Sequence, residues 1–185
     1  DGISGKANYV WNHTTNQSEL GRFGWKSNQP TLRQQVADAF NGDMGLTTSI
    51  FPDKNCPSPQ LDCLNAPNGG SPEVTDKSLN NLMIYASSLS VPIRRNYEDQ
   101  NVLKGKQLFK DLKCNSCHTE VFTTSNNYDF NTLLKNVTIR PFSDFLLHDM
   151  GTDLADNRPD FLATGNEWRT QPLWGIGMIK EVNSH

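Results

Sequence analysis

Hydrophobic positions recur at helical spacing in two stretches of this chain. From Thr75 to Leu89, Leu79, Leu82, Met83, Ala86 and Leu89 fall at i, i+3, i+4, i+7 and i+10, an apolar stripe that must be covered. Ser71-Pro72-Glu73 and Thr75-Asp76 supply capping chemistry at its start, and Pro92 ends the run. From Asp99 to Leu112, Val102, Gly105, Phe109 and Leu112 make a second face, in which Gly105 would let another helix approach closely. Lys110 and Lys113 suit the C-terminus of that helix. Beyond it the chain is loop-rich, with only a short apolar cluster at Phe142, Phe145, Leu146 and Leu147. Asn, Ser, Thr, Gly and Pro are abundant between the helices, so the pattern predicts a mostly α fold with much loop.

Cys114-Asn115-Ser116-Cys117-His118 follows directly on the second helix. A C-x-x-C-H pentad is the attachment pattern of a c-type haem. Each of two thiols spaced this way can add to one haem vinyl group, and the adjoining histidine is then held beneath the ring as an axial iron ligand. With four Cys and four His in 185 residues, random placement gives roughly 0.002 such pentads. A thioredoxin-like dithiol would want a βαβ setting, and zinc a second ligand pair; neither pattern is visible. Met150, His148 and Met178 are the candidates in this chain for a sixth iron ligand, and a Met ligand would raise the reduction potential relative to His.

Cys56 and Cys63 stand seven positions apart with two prolines between them, a spacing that does not suit a haem. A disulfide closing a surface loop fits the oxidising compartment that c-type haem implies, and would contribute ~2.5 kcal/mol by loop entropy. A redox-active dithiol is the rival reading, although nothing basic or helical flanks the pair to lower a thiol pKa.

The length of 185 residues with 35% hydrophobic content allows one or two small domains. A net charge of −3 without a basic run gives no case for nucleic acid, and no apolar stretch is long enough to span a membrane. No signal-peptide pattern is present. A periplasmic or extracellular bacterial location is expected.

The helix that runs through Gly105-Lys106-Gln107-Leu108-Phe109 into Cys114 resembles the first helix of class I cytochrome c domains. Leu79-x-x-Leu82-x-x-Tyr85-x-x-x-Leu89 resembles the closing helix of such a domain. A closing helix ahead of an opening one implies parts of two cytochrome c-like haem domains. Residues 1–92 would be the C-terminal part of the first, and residues 93–185 the N-terminal part of the second. A single irregular domain is the alternative.

Gly21-Arg22-Phe23-Gly24-Trp25-Lys26, Pro30-Thr31-Leu32-x-x-Gln35 and Gly42-Asp43-Met44-Gly45 resemble the di-haem oxidoreductase family, a peroxidase-type family once described as thiol oxidoreductases. The second half carries the same resemblance in Asp144-x-Leu146-Leu147-His148-Asp149-Met150-Gly151, Leu154-Ala155-Asp156 and Glu167-Trp168-Arg169-Thr170-x-Pro172-Leu173-Trp174-Gly175. The resemblance implies a longer protein, with a first haem site before Asp1 and a segment beyond His185 that closes the second domain and supplies an iron ligand.

The family is similar in turn to bacterial di-haem cytochrome c peroxidases, whose F-W-D-G-R … L-E-E-Q-A … E-M stretch resembles Trp25 to Met44. There the Gln and the Glu lie over the open face of the peroxidatic haem, and the Trp lies between the haems. Residue by residue this implies catalytic roles for Gln35, Asp43 and Trp25, with Asp43 in place of the Glu and Lys26 in place of the Asp. A carboxylate near an open iron can move a proton between peroxide oxygens.

The implied function is a haem redox protein that passes electrons from the His118 haem to a catalytic haem. A small redox protein would be the donor and a peroxide-like molecule the substrate. A pure electron-transfer cytochrome is the alternative, and a thiol oxidoreductase using Cys56 and Cys63 a third. Related peroxidases also carry calcium between their domains, and Asp1-Gly2-Ile3-Ser4-Gly5 is a candidate tail of a calcium loop.

Overall fold

Thr75 and Asp99 start helices as their side chains dictate: each accepts a backbone N–H from inside the first turn, from Ser78 and Asn101 respectively. The computed structural model, which describes residues 5–128 and 131–178, places these helices at Asp76–Ser88 and Gln100–Asp111. The chain divides into two units, one formed by Asn8–Leu89 with Pro159–Leu162, the other by the described residues of Asp1–Ala7, Ser90–Arg158 and Ala163–His185.

In the first unit, β1 (Tyr9–Asn12) and β2 (Gln17–Leu20) form an antiparallel hairpin that turns through Asn16 at a left-handed φ of 54°. Val10 and Asn12 point inward and alternate with exposed Tyr9 and Trp11. Helix α1 (Leu32–Met44) begins at Thr31, whose side chain accepts from the Gln34 N–H, and ends at left-handed Gly45. A short helix, α2 (Leu61–Asn65), precedes α3 (Asp76–Ser88). Ala37 of α1 and Leu79 of α3 are fully buried together with Ile50 and Val74, and Val36, Phe40, Leu46 and Phe51 close around them. Of the predicted stripe on α3, Leu79 and Met83 are buried, whereas Leu82 and Leu89 are exposed. Cys56 and Cys63 lie at disulfide distance, with Cα atoms 5.9 Å apart. Lys54 Nζ donates to the carbonyl oxygens of Cys63, Leu64 and Ala66, which gather around the end of α2.

In the second unit, α4 (Gln100–Asp111) leads into a 3₁₀ turn over Cys114–Ser116. Two small antiparallel ladders follow, β3 (Phe122–Thr123) with β4 (Thr138–Ile139), and β5 (Leu147–Asp149) with β6 (Glu167–Arg169). Lys6 bridges to Leu147, adding a third segment beside β5. Half-buried Val102 and Phe109 are the inward residues of α4. Gly105 faces open space, with nothing within 4 Å of an added Cβ, so the close helix crossing expected there is not found among the described residues.

The expectation of a mostly α, cytochrome c-like fold needs correction. Among the described residues four α-helices share the chain with three two-stranded antiparallel sheets and long loops. Helical periodicity is a local signal. The ladders pair residues such as Leu147 with Arg169, whose partnership no local pattern encodes. Helix α1, not predicted from periodicity, had its signals in Pro30-Thr31 at one end and Gly45 at the other.

Candidate haem-attachment site

The pentad is held by its own backbone first. Lys113 takes a left-handed φ of 59° at the end of α4, and the carbonyl of Cys114 accepts from the His118 N–H at 2.9 Å. Cys114 and Cys117 are unpaired with any other cysteine and half-buried. A loop crosses beside them: Ser143 N–H donates to Thr119 O, and Asp144 N–H to Cys117 O. Ser143 is fully buried, with its hydroxyl donating to Thr170 O at 2.7 Å and accepting from the Phe145 N–H. Phe142 and Phe145 both sit at left-handed φ, 53° and 59°, conformations that bulky residues adopt only under constraint.

That strained loop has a consequence at His118. Nδ1 of His118 lies 2.7 Å from the carbonyl oxygen of Phe142. A carbonyl can only accept, so Nδ1 carries the proton and Nε2 holds the lone pair. This is the tautomer that a metal-ligating histidine needs, fixed by the backbone contact that typically accompanies it. Phe109 packs edge-on against both the His118 ring (centroids 6.1 Å) and the Phe142 ring (5.9 Å).

His148 stands beside the pentad and does not have a free ring nitrogen. Its Nε2 lies 2.8 Å from Asp144 Oδ2, and its Nδ1 lies 3.7 Å from Cys117 Sγ. Burial pushes the Cys117 thiol above its ordinary range, and the Asp144 charge pushes the same way. Met150, the other sixth-ligand candidate, is half exposed just after β5, with its N–H donated to Asn166 O. The side chain of Met178 lies outside the described residues, as do Asp1 to Ser4 of the candidate calcium loop.

The surrounding framework is polar. Glu120, just after the pentad, pairs with Lys106 of α4 at 2.8 Å and with Arg140 at 3.3 Å. The Lys106 hydrogen bond holds the Glu120 carboxyl below the usual carboxylate range, against the effect of burial, with the Lys106, Arg140 and Lys110 charges adding. A depressed carboxylate contributes stability above its unfolded pKa and loses it as pH falls through the folded value. The melting-temperature advantage of the wild type over Glu120→Gln should therefore shrink between about pH 5 and about pH 3. An advantage that is constant or grows across that range would remove this role from Glu120. Trp174 Nε1 donates to Arg140 O and Trp168 Nε1 to Leu154 O, which accounts for both tryptophans of the Glu167–Gly175 motif.

The residues implied for peroxide chemistry lie in the first unit. Trp25 is half exposed in a turn between Gly24 (φ 82°) and Ser27 (φ 52°). A Cβ on Gly24 would come within 3.7 Å of Gln35 Oε1, so the turn and Gln35 are neighbours. Gln35 Oε1 is buried and has no hydrogen-bond partner among the described residues. Asp43 is exposed near the end of α1, ~12 Å from Gln35 along the helix axis. The structure thus sets Gly24, the neighbour of Trp25, beside Gln35 and leaves Asp43 apart.

Two further side chains on α1 were not legible in the sequence. Gln34, only 3% exposed, accepts from the His13 N–H and donates to Trp11 O and Gln29 Oε1. Asp38 accepts from Gln29 Nε2, and burial raises its carboxyl above the usual range against that hydrogen bond; the Asp43 and Asp160 charges add, and His13 opposes.

A family model described as "Di-haem oxidoreductase, putative peroxidase" matches residues 1–185. The chain belongs to the di-haem oxidoreductase family. No curated protein and no solved structure gives a significant match. For a di-haem oxidoreductase the donor set at the pentad fits a haem: two thiols spaced for two vinyl groups and an imidazole whose Nε2 lone pair is available. Within the second unit, Asp144, the Phe142 carbonyl and the Gly5 backbone join this site, and none of them announces itself by residue type or spacing.

Proposed function

We propose that this chain is the electron-transferring part of a peroxidase-type di-haem oxidoreductase, with haem attached covalently to Cys114 and Cys117 and ligated by His118. The hydrogen bond from His118 Nδ1 to Phe142 O carries the reading, because it leaves Nε2 as the ligand atom and makes the imidazole a better donor. Haem bound there supplies an iron that takes up and releases single electrons.

The chain's own residues do the rest. The Phe142 carbonyl fixes the ring orientation of His118, and Phe109 excludes water from its edge. In the first unit, Gln35, whose Oε1 is buried and unsatisfied among the described residues, is the amide that family resemblance supplies for orienting a small peroxide. Trp25, next to Gly24 in the adjoining turn, offers a half-exposed indole for electron transfer. Asp43 is the carboxylate that family resemblance supplies for moving a proton between peroxide oxygens, and Asp38, one turn from Gln35, is the carboxylate that lies nearer. Cys56 and Cys63 form a structural disulfide around α2, consistent with a periplasmic or extracellular protein. A small redox protein serves as electron donor.

The test is haem content by mass spectrometry of the isolated protein, followed by peroxide turnover. Wild type should carry covalent haem and turn over peroxide with a reduced donor. Asp43→Ala and Gln35→Leu should each lower turnover by about 10²-fold or more while leaving the reduced spectrum of the His118 haem unchanged. Loss in Asp38→Asn but not in Asp43→Ala would transfer the proton-moving role to Asp38. Intact haem without any turnover would favour a pure electron-transfer cytochrome.

A further inference from the structure

His148 bridges two groups through opposite ring nitrogens, and this arrangement has its own chemistry. Its Nε2 faces Asp144 Oδ2 at 2.8 Å, and an ionised carboxylate can only accept, so Nε2 carries the proton. Nδ1 is then an acceptor, and it faces Cys117 Sγ at 3.7 Å, within reach of a thiol hydrogen. Asp144 is itself anchored, with Oδ1 accepting from the Leu146 N–H and its backbone N–H donating to Cys117 O. On the remaining side the ring packs against backbone: a Cβ on Gly5 would fall 2.6 Å from Nε2 and 2.8 Å from Cε1. Cys117, His148 and Asp144 could also be taken for a metal cluster, since their ligand atoms all lie within 4.8 Å of one another. The two contacts, however, use opposite ring nitrogens, and one ion cannot use both. The ring is engaged in hydrogen bonds to both neighbours.

We propose that the Asp144–His148 pair positions the Cys117 thiol for covalent attachment, holding its hydrogen on His148 Nδ1 so that Sγ is aimed at a haem vinyl group. The inference rests on the haem reading above and extends it to the making of the bond. In the step, the Cys117 S–H adds across the vinyl C=C: a C–S bond forms at the inner vinyl carbon and the hydrogen ends on the outer one. Nothing is oxidised or reduced, and no co-reactant is needed. His148 and Asp144 finish unchanged. Cys114 has no such pair among the described residues, so the two thioethers should differ in their dependence on His148.

The test uses the full protein produced in a host that attaches c-type haem, with the haem-peptide read by mass spectrometry and the free thiol by alkylation. Wild type should be doubly attached. His148→Gln keeps a donor to Asp144 and loses the acceptor at the Nδ1 position. Its doubly attached share should fall about tenfold, with haem retained through Cys114 and Cys117 open to alkylation. Asp144→Asn should do the same without changing shape, because an amide facing Nε2 turns it into the acceptor and reverses the tautomer. Gly5→Ala should displace the ring and give an intermediate share. His148→Asn, which keeps an acceptor near the Nδ1 position, should recover most of the double attachment. Haem retained on Cys114 in the variants shows that the site still folds. If His148→Gln and Asp144→Asn are both doubly attached at the wild-type share, the proposal is overturned. Wild type without covalent haem would instead overturn the haem reading itself.

Discussion

Serine at both Cys114 and Cys117 is expected to remove covalent haem completely, so that acidified organic solvent strips all colour from the protein. Oxygen does not replace sulfur in this addition, and the two cysteines of Cys56–Cys63 lie in the other unit and already face each other. The companion substitution His118→Ala separates attachment from ligation. Both thioethers should form, but the reduced spectrum should lose the signature of nitrogen ligation and the potential should shift, because no other imidazole among the described residues of the second unit is available: His148 is engaged at both nitrogens. Colour that survives extraction from the double-serine variant would mean the pentad is not the attachment site. An unchanged spectrum in His118→Ala would mean that the hydrogen bond to Phe142 serves packing alone.

Leu79→Ala should be the most destabilising single change in the first unit. Leu79 is fully buried and joins α3 to Ala37 of α1, with Ile50 and Val74 around it. Truncation removes three carbons from a site enclosed by two helices and two loop residues, which limits collapse around the void, so a loss of about 3 kcal/mol is expected. Urea unfolding followed by far-ultraviolet circular dichroism would show it as a lower midpoint at constant slope. Leu82→Ala on the same helix should cost under about 1 kcal/mol, since Leu82 is exposed despite lying in the same apolar stripe. Equal losses at the two positions would mean that the stripe is covered in solution and the burial difference is not real.

Helices α3 and α4 were legible to within a residue at each start because Thr75 and Asp99 cap them, and capping is a local interaction. The pentad was legible because haem attachment through two thioethers would demand those residues at that spacing. By itself the sequence therefore determined the candidate attachment pentad, the two capped helices and, by resemblance, the family that the whole chain matches. Only the tertiary structure decided which half of the α3 stripe is buried, that β5 pairs with β6, and that Gly105 faces open space. It also decided the state of the site: that a strained Phe142 turns its carbonyl to His118, that Asp144 and His148 line up on Cys117, and that Gly5 leaves room for the ring. The physical reason is range. Caps and spacings act within a few residues, whereas the orientation of His118 depends on a carbonyl 24 positions away, and that of Cys117 on a histidine 31 positions away.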